Sequence, residues 1–439
     1  MTDTTEASPE PSQAEPRPVS GGRLFGMSLY WLAAQLHWGA LLVAVMPRQV
    51  AEIHPERHGL ILGRLIAVGA IVALVLPPIV GALSDRCTHR WGRRRPYMVG
   101  GTAINLVGLA VLFGAGYLRN LPLYLLGYVI VQFGSNVATA AYSGAIPDLV
   151  PHPQRGVASG WMAAMTQTGT ILGALGSGIL VERGDVGLAY LAVAVVLTLL
   201  LIPTAAAMRE RPLERTDRPQ VSKLSLGSFL RGFWIDPRKH PDFAWVWLTR
   251  FLFTAGMWMV QPFLQYYLRD VIGSSRPAED AGRLVGLALV GATGTGLLGG
   301  IISDRVGRKR VVYVANGLMA LVSLGFMAAR TMPAVYVTAV LYGLAFGAYY
   351  SVDWALGCDV LPNKDDAGKD MGVWHISMVL PQSLAPQVSG MLLEAGGAFA
   401  VAGSAIPHYA SRGYLYLFAV AAVLLALSAI LVRNVRGVR

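Results

Sequence analysis

Charged residues are scarce in this chain. Only 14% of its 439 residues are Asp, Glu, Lys or Arg, whereas 54% are apolar, and the mean hydropathy is +0.50. Soluble proteins carry about 25% charged residues, because their surface must be hydrated. The composition therefore excludes an ordinary soluble protein and predicts a chain that spans a membrane.

Cysteine is nearly absent, and so are the common catalytic motifs. The two cysteines, Cys87 and Cys358, do not make a disulfide framework or a metal cluster. Neither a His-Glu-x-x-His motif nor a phosphate-binding loop occurs, since no Gly-Lys-Ser/Thr follows the glycines at Gly294 and Gly296. We expect no enzymatic activity, no metal, no cofactor and no ATP-driven step.

Acidic residues are fewer than basic ones, which gives a formal net charge of +11. A nucleic-acid-binding protein would gather its basic residues on one polar face, but here they lie in short turns between apolar runs. The pattern indicates a membrane protein oriented by its positive loops, and no nucleic-acid partner.

Long apolar runs dominate the rest of the sequence. A helix needs about 20 apolar residues to cross a bilayer, and twelve segments qualify. They are 25–46, 60–83, 97–117, 121–146, 156–181, 187–208, 242–268, 282–302, 310–329, 333–358, 371–395 and 413–433. Most Arg and Lys follow the even-numbered spans, so we predict that those loops and both termini are cytoplasmic.

Polar stretches divide the chain into four parts. We predict a disordered cytoplasmic tail at 1–22, a six-helix half at 23–208, a cytoplasmic linker at 209–241 and a second half at 242–439. Within the linker, apolar residues from Val221 to Trp234 lie broadly on one side of a helix. This pattern predicts an amphipathic helix on the inner leaflet.

The two halves repeat one basic motif. It reads Gly81-Ala82-Leu83-Ser84-Asp85-Arg86 running on to Trp91-Gly92-Arg93-Arg94-Arg95-Pro96, and again Gly300-Ile301-Ile302-Ser303-Asp304-Arg305-Val306-Gly307-Arg308-Lys309-Arg310. The pattern resembles the major facilitator superfamily of secondary transporters. The resemblance implies an all-α integral membrane fold of twelve transmembrane helices in two six-helix pseudo-symmetric halves, with substrate held between them.

A narrower resemblance comes from the stretch Ser84 to Pro96, with Asn136 twelve residues before Asp148-Leu149. These residues resemble the sucrose–proton symporters of the glycoside-pentoside-hexuronide-like branch. The resemblance implies sugar transport with protons. The chain departs from it at Gln132, where we align the plant family's mid-membrane carboxylate, so coupling by that route is not expected.

Acidic and basic residues at the cytoplasmic helix ends are gate candidates. Ion pairs there that form in one conformation and break in the other would act as a conformational switch, and Asp148 with Arg155 offers such a pair. The alternative is that the arginines only set the orientation. The candidates are Asp85, Arg86, Arg93, Arg94, Asp148, Arg155, Asp304, Arg305 and Arg308.

Ionisable residues inside apolar spans are costly unless they have a partner or face a cavity. Arg250 and Asp353 lie at similar depths from the cytoplasm, so they are able to form a salt bridge. His37, in the middle of the first span, could bind a proton or donate to a hydroxyl. These three are the candidate coupling residues, against the alternative of static buried contacts.

Amides and aromatic residues at membrane depth suggest a cavity for a sugar, whose hydroxyls need donors and acceptors and whose C–H face stacks on rings. The alternative is that they join helices or form the interfacial belt. The candidates are Gln35, Trp38, Gln132, Asn136, Gln167, Trp258, Gln261, Tyr350, Trp374 and Gln382.

Together these features predict a secondary active transporter in the cell (inner) membrane, acting as a monomer. Its partners would be a small polar solute, protons and the lipid bilayer. The solute would be a sugar or glycoside moved by alternating access. The alternative is an exporter of drugs or metabolites, which the 15 methionines and the aromatic residues also fit.

Overall fold

A computed structural model describes residues 18–210, 235–362 and 367–436. Within these ranges the chain forms twelve long helices, one at each predicted span. They are α1 (Gly21–Ile53), α2 (His58–Asp85), α3 (Arg95–Tyr117), α4 (Leu121–Ser143), α5 (Arg155–Glu182), α6 (Val186–Ala207), α7 (Pro241–Ile272), α8 (Pro277–Val306), α9 (Arg308–Ala328), α10 (Met332–Asp359), α11 (Ala367–Gly396) and α12 (Ser411–Leu431).

Ten of these helices are long and apolar enough to cross a membrane by length and composition. The other two, α8 and α11, have 30 residues each. A helix pairs its own backbone N–H and C=O groups, and it must do so in a bilayer because hydrocarbon offers them no hydrogen-bond partner. The all-α membrane fold is therefore confirmed. The predicted amphipathic helix and residues 1–17 lie outside the described residues, whereas α1 begins at Gly21, inside the tail that was predicted to extend to residue 22.

The two halves pack in the same way. In the first half, α1 contacts α5 and α6, and α4 contacts α2 and α3; in the second half, α7 contacts α11 and α12, and α10 contacts α8 and α9. Each pair in one half has its counterpart six helices later in the other. The predicted pseudo-symmetry is confirmed by this packing.

Helices α1 and α7 are not regular throughout. A π-helical turn interrupts α1 at Leu41–Val45, and a 3-10 turn interrupts α7 at Gln261–Phe263, beside Pro262. The two irregular turns contact each other across the halves. Irregular backbone at membrane depth is tolerated where protein or a cavity surrounds it, and it is often functional.

Contacts between the halves concentrate at one end, which we call the closed end. It carries the loops after α1, α3, α5, α7, α9 and α11, opposite the basic motifs. Helix α2 packs on α11 and α5 packs on α8. Glycine permits close approach, since a Cβ on Gly390 would lie 2.7 Å from the Gly59 carbonyl oxygen. Hydrogen bonds also cross, among them one from Tyr266 Oη to the Pro47 carbonyl (2.7 Å) and one from the Ala278 amide to Glu182 Oε1 (2.6 Å).

A short antiparallel hairpin lies between α11 and α12. Its strands are β1 (Ala398–Phe399) and β2 (His408–Tyr409), with Ala398 paired to Tyr409. The hairpin places His408 and Tyr409 at the closed end, where Tyr409 Oη accepts a hydrogen bond from the Gly59 amide of the first half (2.8 Å).

We expect Gly63→Ala to destabilise the protein. The new Cβ would lie 2.8 Å from the Pro386 carbonyl carbon and 2.9 Å from Gln387 Cα, which are backbone atoms and cannot easily move. Overpacking of this kind costs about 1–3 kcal/mol. Thermal unfolding of the purified protein measures it.

Gly100→Ala is the matched control, because no atom lies within 4 Å of a Cβ built there. Alanine is a better helix former than glycine by about 0.5–1 kcal/mol, so this variant should be as stable as the wild type or slightly more so. Equal melting temperatures for the two variants would contradict the backbone contact.

Candidate functional site

The basic motif of the first half forms a network around Arg94, which is 7% exposed. Its Nη2 lies 2.6 Å from Asp85 Oδ1, its Nε lies 2.9 Å from Asp148 Oδ2, and its Nη1 donates to Ser84 Oγ (2.6 Å). One guanidinium thus joins the end of α2 to the segment after α4. This confirms that the motif's acid and arginine pair with each other.

One further salt bridge of the first half has a counterpart in the second half. Arg93 Nη2 lies 2.7 Å from Asp148 Oδ1, and Arg308 Nη1 pairs with Asp359 in the same manner. Gly92 and Gly307 precede these arginines at φ of 99° and 95°, a conformation that glycine adopts without a Cβ clash. Both motifs therefore turn in the same way, and each directs an arginine to an acid that lies two helices later in the chain.

Asp359 was not among the predicted gate residues. The repeat of Pro147-Asp148-Leu149 as Cys358-Asp359-Val360 was the signal that could have identified it. In both motifs, the arginine that directly follows the glycine forms a salt bridge with this acid.

Arg155 does not pair with Asp148, contrary to the expectation from their spacing. Its Nη2 donates to the Pro147 carbonyl (2.9 Å) and its Nε to the Val150 carbonyl (3.3 Å). Asp148 is instead occupied by Arg93 and Arg94. The prediction was wrong because proximity in sequence did not show which arginines would fold back onto the acid.

Three other gate candidates stay predictions. Arg86, directly after α2, is half-buried, and Arg305 is exposed. The side chain of Asp304 lies outside the described part of the structure.

Glu210 joins the network without having been predicted. Its Oε2 accepts a hydrogen bond from the Arg94 amide at 2.8 Å, so the carboxylate caps the start of α3. Burial raises the pKa of Glu210 above its usual range, partly offset by the hydrogen bond from Arg94. The acid follows α6 directly and ties that helix to the motif, a tertiary relation that no local pattern indicates.

Arg250 and Asp353 form the predicted salt bridge inside the second half. Arg250 Nε lies 3.1 Å from Asp353 Oδ2, and Tyr349 Oη donates to Asp353 Oδ1 at 2.9 Å. Both charged side chains are 6% exposed. The pair joins α7 to α10 and is held by hydrogen bonds on both carboxylate oxygens, which offsets the cost of burying the charges.

Trp374 belongs to this ion pair rather than to a cavity. The Arg250 guanidinium lies 4.4 Å from the centre of its ring, and the side chain is 1% exposed. The expectation that Trp374 lines an open cavity is not met in this conformation, because the cation covers its face.

His37 is fully buried, with 0% exposure, and packs on Trp38 with ring centres 4.6 Å apart. Neither ring nitrogen has a hydrogen-bond partner among the described residues. Its burial separates it from an open cavity in this conformation, so its coupling role rests on the sequence expectation alone.

Gln132 and Asn136 form a polar pair on α4. Gln132 Nε2 donates to Tyr128 Oη (2.8 Å), and Asn136 Nδ2 donates to Gln132 Oε1 (3.1 Å). Gln132 also packs against Gly69 of α2 and is 7% exposed. Both hydrogen bonds lie within α4, and the Gln132 side chain meets α2 only by packing beside Gly69.

The remaining cavity candidates are at least partly exposed. Tyr350 is 39% exposed and stacks near Phe346, with ring centres 4.5 Å apart. Trp258 and Gln261 adjoin the irregular turn of α7, and the indole nitrogen of Trp258 is buried without a partner among the described residues. The other half-buried members are Gln35, Trp38, Asn136, Gln167 and Gln382.

Two six-helix halves, closed on each other at one end and carrying ionic networks at the other, define a membrane transporter. The chain belongs to the Major Facilitator Superfamily, whose family model matches residues 21–386 and 246–438. This membership agrees with the resemblance of the repeated motifs.

Among relatives, sucrose transport protein SUC4 of Arabidopsis thaliana is 23% identical over 397 residues, which covers 73% of this chain and 75% of that protein. Sucrose transport protein SUT1 of Oryza sativa subsp. japonica is 27% identical over 175 residues, 36% of this chain and 32% of that protein. The match thus spans about a third of the length of the rice relative.

Solved structures share the fold. The nucleoside transporter NupG superposes with a TM-score of 0.69 at 15% identity, covering 95% of this chain and 99% of that chain. A bacterial homologue of the lysosomal transporter Spinster, in an inward-facing and unoccupied conformation, also gives 0.69 at 15% identity, covering 94% and 96%.

We expect Asp148→Asn to slow transport and destabilise the protein more than Asp85→Asn. Asp148 binds two arginines and its side chain is 19% exposed, whereas Asp85 binds Arg94 and is 44% exposed. Loss of charged, half-buried hydrogen bonds costs about 1–3 kcal/mol, but an exposed ion pair contributes about 1 kcal/mol or less.

Each variant replaces one carboxylate oxygen with an amide nitrogen. The chemical change is therefore the same in both, and any difference between them reflects the place of the acid in the network. Thermal unfolding and initial transport rates would be measured side by side in one membrane system. A larger effect for Asp85→Asn on both quantities would place the centre of the network at the end of α2 instead.

Proposed function

We propose that this chain is a secondary active transporter that moves a sugar or glycoside with protons by alternating access. The buried Arg250–Asp353 pair supports coupling to protons. Burying a carboxylate in the membrane costs free energy, and a purely structural helix contact does not require one. The similarity to sucrose transport proteins supports the solute class.

Asp353 has the chemistry of a proton carrier. In the ionised state it accepts hydrogen bonds from Arg250 and Tyr349. Protonation removes its charge and weakens the bond to Arg250. The Arg250 guanidinium would then remain in contact with the face of the Trp374 ring. Since Arg250 is on α7 and Asp353 is on α10, a proton would change how these two helices are held together.

The ionic networks of the two basic motifs, which lie at the end opposite the closed end, are the proposed cytoplasmic gate. Arg93 with Asp148 and Arg308 with Asp359 each lie within one half. They hold the ends of each half together while the halves move as units. Alternating access needs such rigid halves, and pairs that exchange partners would complete the switch.

We further propose that the basic loops and both termini are cytoplasmic, in the cell (inner) membrane. The arginine excess of these loops supports this orientation. The closed end is then the outer side, and the conformation faces inward. We propose a monomer as the functional unit, because each chain contains both halves of the fold.

Uptake into proteoliposomes tests the function. Radiolabelled sucrose, maltose and trehalose would be offered with an inward proton gradient, with a sodium gradient and with none, and uridine would be the non-sugar comparison. We expect accumulation of one sugar that a protonophore abolishes. Folded protein that accumulates uridine, or that extrudes drugs while ignoring sugars, would overturn the sugar assignment.

We expect Asp353→Asn to abolish uphill accumulation and retain counterflow exchange, because exchange needs no net proton movement. Loss of one partner leaves Arg250 buried and unpaired, at a cost of about 3–5 kcal/mol. Counterflow with labelled and unlabelled sugar, compared with proton-driven accumulation, separates the two activities.

The double variant Arg250→Gln with Asp353→Asn is the control for stability. It removes both charges, so the unpaired cation disappears and the melting temperature should recover. Accumulation should remain absent, since the proton carrier is still missing. Recovery of proton-driven accumulation in the double variant would remove Asp353 from the coupling mechanism.

A further inference from the structure

The closed end contains a buried polar cluster that neither the gate nor the coupling pair uses. His58 starts α2 in the first half, and Arg269 and Asp270 lie near the end of α7 in the second half. His58 and the Asp270 side chain are both 0% exposed. A charged pair and a titratable ring therefore meet across the surface that must separate when this end opens.

The partners of His58 define its protonation state. Nδ1 lies 2.7 Å from the Pro55 carbonyl oxygen, which only accepts, so this nitrogen carries a hydrogen. Nε2 lies 3.4 Å from Arg269 Nη2, and a guanidinium only donates. Nε2 must therefore be the acceptor, and the imidazole that bridges the closed halves is neutral.

A proton on Nε2 would reverse this contact. Arg269 Nη2 would lose His58 as an acceptor and keep only the Pro407 carbonyl of its own half (3.2 Å), and two cations would face each other in a buried site. The ring has little room to turn away, because Tyr266 and Tyr409 pack on it with ring centres 4.6 Å and 4.5 Å apart. Protonation thus opposes the contact between α2 and α7.

The neighbouring acid is already occupied. Asp270 Oδ1 lies 2.6 Å from Arg269 Nε, and Oδ2 accepts from the Tyr409 amide (3.0 Å) and from Tyr414 Oη (2.7 Å). Asp270 therefore fixes Arg269 in place. The carboxylate has no oxygen left to neutralise a cationic His58.

Other titratable groups surround the cluster. His408 Nδ1 lies 3.5 Å from Asp270 Oδ1, and its protonation would strengthen a contact that lies wholly within the second half. Burial lowers the pKa of His408, although Asp270 partly offsets this. Glu394 accepts from Tyr409 Oη (2.7 Å), and His54 lies near His58. Among these groups, His58 is the one that contacts Arg269 from the other half.

We propose that His58 is a proton-sensitive latch of the closed end. Neutral His58 accepts the hydrogen bond from Arg269 and holds α2 against α7. When this contact opens briefly to water, a proton bound at Nε2 prevents the bond from re-forming and favours separation of the halves there. The latch does not depend on the identity of the solute or on the role of Asp353.

Distance measurements between spin labels test the latch directly. Labels would be placed at Leu118→Cys, after α3, and Ala402→Cys, in the β1–β2 loop, since both residues are exposed at the closed end. Cys87 and Cys358 would be replaced by serine. We expect the population with the longer distance to grow as the pH falls from 8 to 5, by up to about tenfold per pH unit while one proton is bound.

Two glutamine variants identify the sensor. In His58→Gln the amide can still donate to Pro55 and accept from Arg269, but it cannot be protonated, so its distance distribution should stay closed at every pH. His408→Gln should keep the wild-type response. A constant wild-type distribution, a surviving response in His58→Gln, or a response lost in His408→Gln would each overturn the assignment to His58.

Discussion

Hydrocarbon offers no hydrogen bond to a polar group, so each ionised side chain inside the bilayer needs a protein partner. Arg250 illustrates the consequence, because it binds Asp353 through Nε and covers the ring of Trp374. Asp353 in turn accepts from Tyr349. Protonation of Asp353 would therefore weaken its bonds to both Arg250 and Tyr349.

Charge is also placed at the two ends of the molecule, in different ways. At the end with the basic motifs, Arg94 links Asp85 with Asp148 inside one half. At the closed end, His58 meets Arg269 across the halves. Bonds within a half stiffen that half, whereas bonds between the halves hold this end closed. The contact at 3.4 Å belongs to the second kind, and glycines on the facing helices let the two halves pack closely there.

Most of the fold was predictable because its signals are local. Twelve apolar runs predicted twelve helices, and the repeated motifs predicted two equivalent halves. The Arg250–Asp353 pair was also predictable, since both residues have the same depth in a membrane and few alternatives exist there. The pairing of Asp148 with Arg155 was wrong, because several arginines lay within reach and Arg155 found backbone carbonyls instead. Trp374 was placed in the cavity, but it lies beneath Arg250, since hydropathy does not show which side of a helix faces a neighbour.

The sequence by itself determined the class of fold, the number of long helices and the positions of the charged motifs. These follow from the cost of placing polar groups in hydrocarbon, which acts residue by residue along the chain. The tertiary structure alone decided other polar contacts, such as Glu210 at the start of α3 and His58 against Arg269. Such contacts join residues that are 116 and 211 positions apart. They depend on how helices rotate and pack, and no local pattern carries that information.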